Sequence, residues 1–108
     1  MKALVINAGS QIEIQEIDDK LETYQQIVGG YITTAPLQFC PASVAVMICN
    51  DEGLLLDLPE NIYASCLYGG LIVGNAVVVG VRDDVFCDVP PSLLSLVPEF
   101  NEQIAEQM

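Results

Sequence analysis

The side chains that could do chemistry in this chain are four cysteines, three adjacent pairs of carboxylates and a scatter of glycines and asparagines; there is no histidine. Cys40, Cys49, Cys66 and Cys87 show no Cys-x-x-Cys spacing, so neither a zinc ribbon nor a dithiol redox centre is encoded. A catalytic thiol also needs a base to draw off its proton, commonly an imidazole. The cysteines therefore read as free, buried thiols of a reducing compartment. The missing imidazole removes Ser-His-Asp and Cys-His sites as well. The carboxylate pairs are Asp18-Asp19, Asp51-Glu52 and Asp83-Asp84. Acid/base work needs one carboxyl of a pair raised in pKa by burial, and all three pairs fall in predicted turns or caps where water solvates them. Asn50-Asp51-Glu52-Gly53 with Asp57 matches a calcium loop only superficially, because Leu54-Leu55-Leu56 fills positions that should alternate oxygen ligands. A P-loop lysine and a Gly-x-Gly-x-x-Gly turn are both missing. The residues point to no metal, no cofactor and no enzyme; what is left is binding.

The charge balance says what kind of binding. Fifteen acidic residues face three basic ones, Lys2, Lys20 and Arg82, for a formal charge of -12, while 52% of the 108 residues are hydrophobic. Such a chain has enough apolar residues to fold and then presents a negative surface. Direct nucleic-acid binding is disfavoured, since phosphates are held by lysine and arginine. The charge suits a basic protein partner or imitation of DNA, and equally serves solubility alone. The mean hydropathy of +0.45 is high for one small domain, which leaves apolar surface to be covered. That predicts a homo-oligomer. The apolar run Gly69–Val81 is shorter than the roughly 20 residues of a membrane span, and the opening residues are too few for a signal-peptide core. The reading is a cytoplasmic protein of a bacterial host.

The elements that must position these residues follow from periodicity. Lys2–Ile6 and the alternating Ile12–Ile17 predict an N-terminal hairpin around Asn7-Ala8-Gly9-Ser10, the second strand half-buried. Asp18 or Asp19 caps a helix whose apolar stripe is Leu21, Tyr24, Ile27 and Val28, and Gly29-Gly30 ends it. Tyr31–Ala35 is a strand; Ser43–Cys49 is a nearly continuous apolar strand, central, with both faces covered. Leu54-Leu55-Leu56 pairs back as a hairpin arm. Asn61 caps a short helix over Ile62–Tyr68; Ala76–Gly80 is a strand; Asp88 caps a terminal helical region divided at Pro98. Residues 101–108 form a helical arm or a frayed end. The sum is one domain over 1–108 of class α+β: an antiparallel or mixed sheet of about five strands with two to three helices on one face.

Several blocks together carry a family resemblance. Ile27-Val28-Gly29-Gly30-Tyr31-Ile32, Cys49-Asn50-Asp51-Glu52-Gly53, Leu58-Pro59-Glu60-Asn61, Ile72-Val73-Gly74 and Val79-Gly80 resemble the domain-of-unknown-function family 3846 over nearly the whole chain. The resemblance implies a small accessory protein of phages, plasmids and Gram-positive bacteria, with no catalytic motif. Its recurring residues are glycines, asparagines and a tyrosine rather than acids. Gly29, Gly30, Tyr31, Asn50, Gly53 and Asn61 are thus candidate ligand-binding residues: exposed amides and glycine N–H groups would hold a small polar ligand, with Tyr31 stacking on a base. Turn and cap geometry is the competing account of the same residues. The expected function is counter-defence by sequestering a nucleotide-derived ligand; the alternative is an acidic protein-binding module or DNA mimic that inhibits a host defence protein.

Overall fold

Two apolar runs organise the computed structural model, which describes residues 1–108. In Ala45–Asn50 and Ala76–Arg82 the first five residues of each strand are buried. Strands without a polar side lie in the middle of a sheet covered on both faces. Numbered in chain order, the strands are β1 (Lys2–Ile6), β2 (Glu13–Glu16), β3 (Ile32–Pro36), β4 (Ala45–Asn50), β5 (Ala76–Arg82) and β6 (Val85–Cys87). The helices are α1 (Leu21–Val28), α2 (Ile62–Tyr68), α3 (Pro91–Leu94) and α4 (Val97–Glu106). The sheet order is β2-β1-β5-β4-β3, every pairing is antiparallel, and β6 pairs with β5.

Because successive side chains alternate between faces, the two runs feed two cores. Leu4, Met47 and Val78 point to one face, where Leu67, Leu93 and Ile104 of α2, α3 and α4 cover them. Val46, Ile48, Val77 and Val79 point to the other and meet Tyr24 and Val28 of α1. The Tyr24 ring stands edge-on to Phe86 of β6, centroids 5.7 Å apart. Its hydroxyl donates to Asp19 Oδ1 at 2.6 Å. Burial, then the hydrogen bond and negative charge of Asp19, push the phenol well above its usual range.

The α+β class holds, with six strands and four helices. The layering differs from the one-face expectation, since α1 lies alone on the second face. β2 is also not half-buried: all four residues are exposed at the sheet edge, because no helix reaches over them. The apolar signal there belongs to Ile12, which is buried before the strand starts and exchanges two backbone bonds with the Asn101 amide. Leu54–Leu56 forms no strand. β3 and β5 already occupy both edges of β4, so the segment coils into turns, with Leu56 N–H donating to Glu52 O and Leu58 N–H to Gly53 O. Neither expected aspartate cap forms. Lys20 precedes α1 without a side-chain cap, and Asp88 instead accepts the Lys2 backbone N–H at 2.8 Å. The C-terminal segment is helical to Glu106 and anchored by buried Ile104.

Candidate functional site

Five of the six candidate residues meet at one end of the sheet. Gly29 ends α1 in the left-handed conformation (φ 80°) that a Cβ disfavours, its N–H donating to Gln25 O. Gly30 follows and abuts the Asn50 amide, and Tyr31 leads into β3 with its side chain 69% exposed. Asn50, buried at the end of β4, ties these pieces together: Nδ2 donates to Val28 O at 3.0 Å, and Oδ1 accepts the Glu52 N–H at 2.7 Å. Gly53 sits in the turn beyond it, its N–H on Asn50 O. Asn61 does not join this group. It is fully buried under β1 as the cap of α2, donating to Ile6 O and Gly74 O, both at 2.8 Å, and accepting the Ala64 N–H at 3.1 Å.

Both asparagine amides are therefore spent on the main chain of their own protein. Buried polar groups must be bonded, and here they are: no buried side-chain nitrogen or oxygen lacks a partner. Of the five clustered residues only Asn50 and Gly53 reach the open cleft beside them, about 410 Å³ in volume, whose other walls are Cys49, Leu54, Leu55, Leu71, Ile72 and Val73 with Asp51 and Glu52; Gly29, Gly30 and Tyr31 do not line it. Leu54, Leu55, Leu56 and Leu71 are 74, 84, 54 and 58% exposed. These leucines are the residues that sequence reasoning missed. The usable signal was their position, three in a row between Asp51-Glu52 and Asp57, with turn residues on either side.

A second, larger cleft of about 780 Å³ lies at the far end, where β1, β5 and β6 meet the Pro90–Leu94 segment. Lys2 and Arg82 both line it, as do Asp19, Cys87 and Asp88. The one ion pair in the chain joins the Met1 amine to Glu16 at 3.4 Å, so neither Lys2 nor Arg82 is in direct contact with a carboxylate. Asp19 and Asp88 are already engaged by Tyr24 and the Lys2 N–H.

Two of the four thiols, Cys40 and Cys49, are held back from ionising. All four cysteines are free, but only Cys49 is buried as expected; Cys40 and Cys87 are partly covered and Cys66, on the outer side of α2, is exposed. Burial, then the charge of Asp51, pushes the Cys49 thiol up, and burial pushes Cys40 up against a weak bond to Ala45 O. A raised pKa reduces the thiolate that reaction requires. No three Cys, Asp or Glu side chains gather closely enough to hold a metal ion, and no helix is long and apolar enough to cross a membrane.

These features define a small α+β domain with one open antiparallel sheet and helices on both faces. The chain belongs to the family described as Domain of unknown function (DUF3846), whose model matches residues 1–105. No curated protein matches the chain, and no solved structure does.

Proposed function

We propose that this protein is a non-enzymatic binding module that docks a basic, amphipathic segment of another protein on the leucine loop. The observation that carries this reading is Leu54-Leu55-Leu56: three consecutive leucines, each more than half exposed, on a loop held by its own backbone bonds. Such a run reduces solubility without return unless something covers it. Leu71 extends the apolar area across the cleft, and Asp51, Glu52, Asp57 and Glu60 lie along the same segments. An apolar centre with a charged rim is the anatomy of a protein interface, and the sign of this rim selects a basic partner. In the mobile-element setting implied by the family resemblance, that partner is a host protein, and occupying it is the counter-defence act.

A fluorescently labelled leucine–lysine amphipathic peptide tests the chemistry by anisotropy. Leu54→Ser/Leu55→Ser removes two exposed side chains and leaves the core untouched. It should weaken binding roughly a hundredfold, about 1.5 kcal/mol for each leucine covered. Unchanged affinity in that variant would contradict the reading.

A specific observation favours a second reading, sequestration of a small anionic ligand of the nucleotide type. Two of the chain's three basic side chains line the larger of these two clefts without an ion-pair partner, and the cleft has the size of small-molecule sites. Calorimetry against cyclic nucleotides and ADP-ribose derivatives should then give heat with the native protein and none with Lys2→Ala/Arg82→Ala. Silence across the panel removes this reading and leaves the leucine loop as the site.

A further inference from the structure

The two strands that end the sheet order, β2 and β3, differ in charge. β2 presents Glu13, Gln15 and Glu16, an edge guarded by carboxylates against further pairing. β3 presents Ile-Thr-Thr-Ala-Pro. No residue from Thr23 to Asn50 is charged, in a chain where eighteen others are.

The ladder fixes which backbone groups β3 leaves free. Tyr31 lies opposite Asp51, whose N–H donates to Tyr31 O at 2.8 Å, and the register continues as Ile32↔Asn50, Thr33↔Cys49, Thr34↔Ile48 and Ala35↔Met47. Bonding positions alternate along an antiparallel strand. Tyr31, Thr33 and Ala35 therefore bond inward to β4, while the N–H and C=O of Ile32 and Thr34 point outward. Pro36 falls on the outward set, where its missing N–H costs nothing. No loop, helix or side chain of the chain bonds to the Ile32 or Thr34 backbone.

We propose that this edge pairs with β3 of a second copy, antiparallel about a two-fold axis at Thr33. In that register Ile32 lies opposite Thr34 of the second copy and the reverse, so all four outward groups of each copy that lie on Ile32 and Thr34 are satisfied. Pro36 falls beyond the paired segment. Thr33 meets its own equivalent, a favourable cross-strand pair, and the exposed Tyr31 ring comes to lie over Ala35 of the second copy. A shift to an axis at Thr34 would set Ile32 opposite Pro36 and leave the Ile32 carbonyl without a donor. The occupant follows from charge. A strand of a basic partner would find no carboxylate along β3, whereas two copies of a strongly acidic chain can approach closely only where neither carries one. The surface is separate from the leucine loop and the Lys2/Arg82 cleft, so it stands independently of the proposed function.

Sedimentation equilibrium across a concentration series, combined with amide hydrogen exchange, tests it on the full chain. The native protein should pass from 11.7 kDa to twice that mass as concentration rises. Slowed exchange at Ile32 and Thr34 should appear with the dimer. Thr34→Lys, whose exposed side chain touches no core, should sediment as a monomer with unchanged circular dichroism, because the two lysines then lie diagonally across the axis, within reach of each other. A native chain that stays monomeric to its solubility limit overturns the proposal. So does a dimer in which the Ile32 and Thr34 amides exchange as fast as in the dilute protein, and so does a folded Thr34→Lys dimer. Should Thr34→Lys unfold, the exchange at those two amides in the native chain decides alone.

Discussion

Replacing Asn61 by alanine should cost about 3–5 kcal/mol of unfolding free energy, read as a fall in the urea midpoint at unchanged slope. The side chain has no exposure and serves three partners. Its amide nitrogen bridges Ile6 O at the end of β1 and Gly74 O just before β5, two segments that the sheet brings together. Its oxygen caps α2. Alanine takes one bond from each of two carbonyls, each worth about 0.5–1.5 kcal/mol, and leaves the Ala64 N–H without its side-chain acceptor, worth about 1–3 kcal/mol. A small domain has only about 5–15 kcal/mol in total, so a good part of the population would be unfolded under mild denaturant. Asn61→Ser separates the roles, because the hydroxyl can keep the cap and cannot bridge both carbonyls; it should fall between. A loss below about 1 kcal/mol in the alanine variant would mean that the bridging bonds contribute little.

Gly80→Ala should be comparably severe for a steric reason. β5 changes partner at Gly80: β1 lies beside it as far as Val78, and β6 takes over with Gly80 opposite Cys87. The chain leaving β6 then crosses close to the strand, and a Cβ on Gly80 would sit 2.1 Å from Asp88 O and 2.9 Å from its carbon. Those are backbone atoms, so the relief must come from moving the segment. That movement would strain the Val89 N–H to Lys2 O bond at 3.0 Å and the Lys2 N–H to Asp88 bond. Overpacking of this kind costs about 1–3 kcal/mol and sometimes more. Gly9→Ala is the control. Gly9 has positive φ but open space around it, so only the left-handed backbone penalty of about 1–2 kcal/mol applies. Thermal unfolding should rank Gly80→Ala well below Gly9→Ala; the reverse order would contradict the crossing.

Why some of this was legible and some was not follows from where the determining contacts lie. Gly29, Asn61 and the Arg82-Asp83-Asp84 turn act within a few residues, and the elements they end or begin fall where local rules place them. The Ser43–Cys49 run already called for cover on both faces, and α1 and α2 provide it. The misplaced features all depend on long-range partners. Asp88 resembles a helix cap locally, but Lys2, far away in sequence, takes its carboxylate. Leu54-Leu55-Leu56 looks like a strand locally, but both sides of β4 are filled before it could pair. The candidate binding residues follow the same pattern: their clustering was partly legible through Gly29-Gly30-Tyr31. The consumption of the Asn50 and Asn61 amides by distant carbonyls, Val28 O and Ile6 O among them, was not.

The proposed function has this chain cover a basic segment with its leucine loop. Amide chemical-shift mapping of the isotopically labelled protein, titrated with the leucine–lysine peptide, tests it most directly. The largest changes should fall on residues 51–57 and 71–73. Changes centred on Lys2 and Arg82, or spread evenly over the acidic surface, would contradict it.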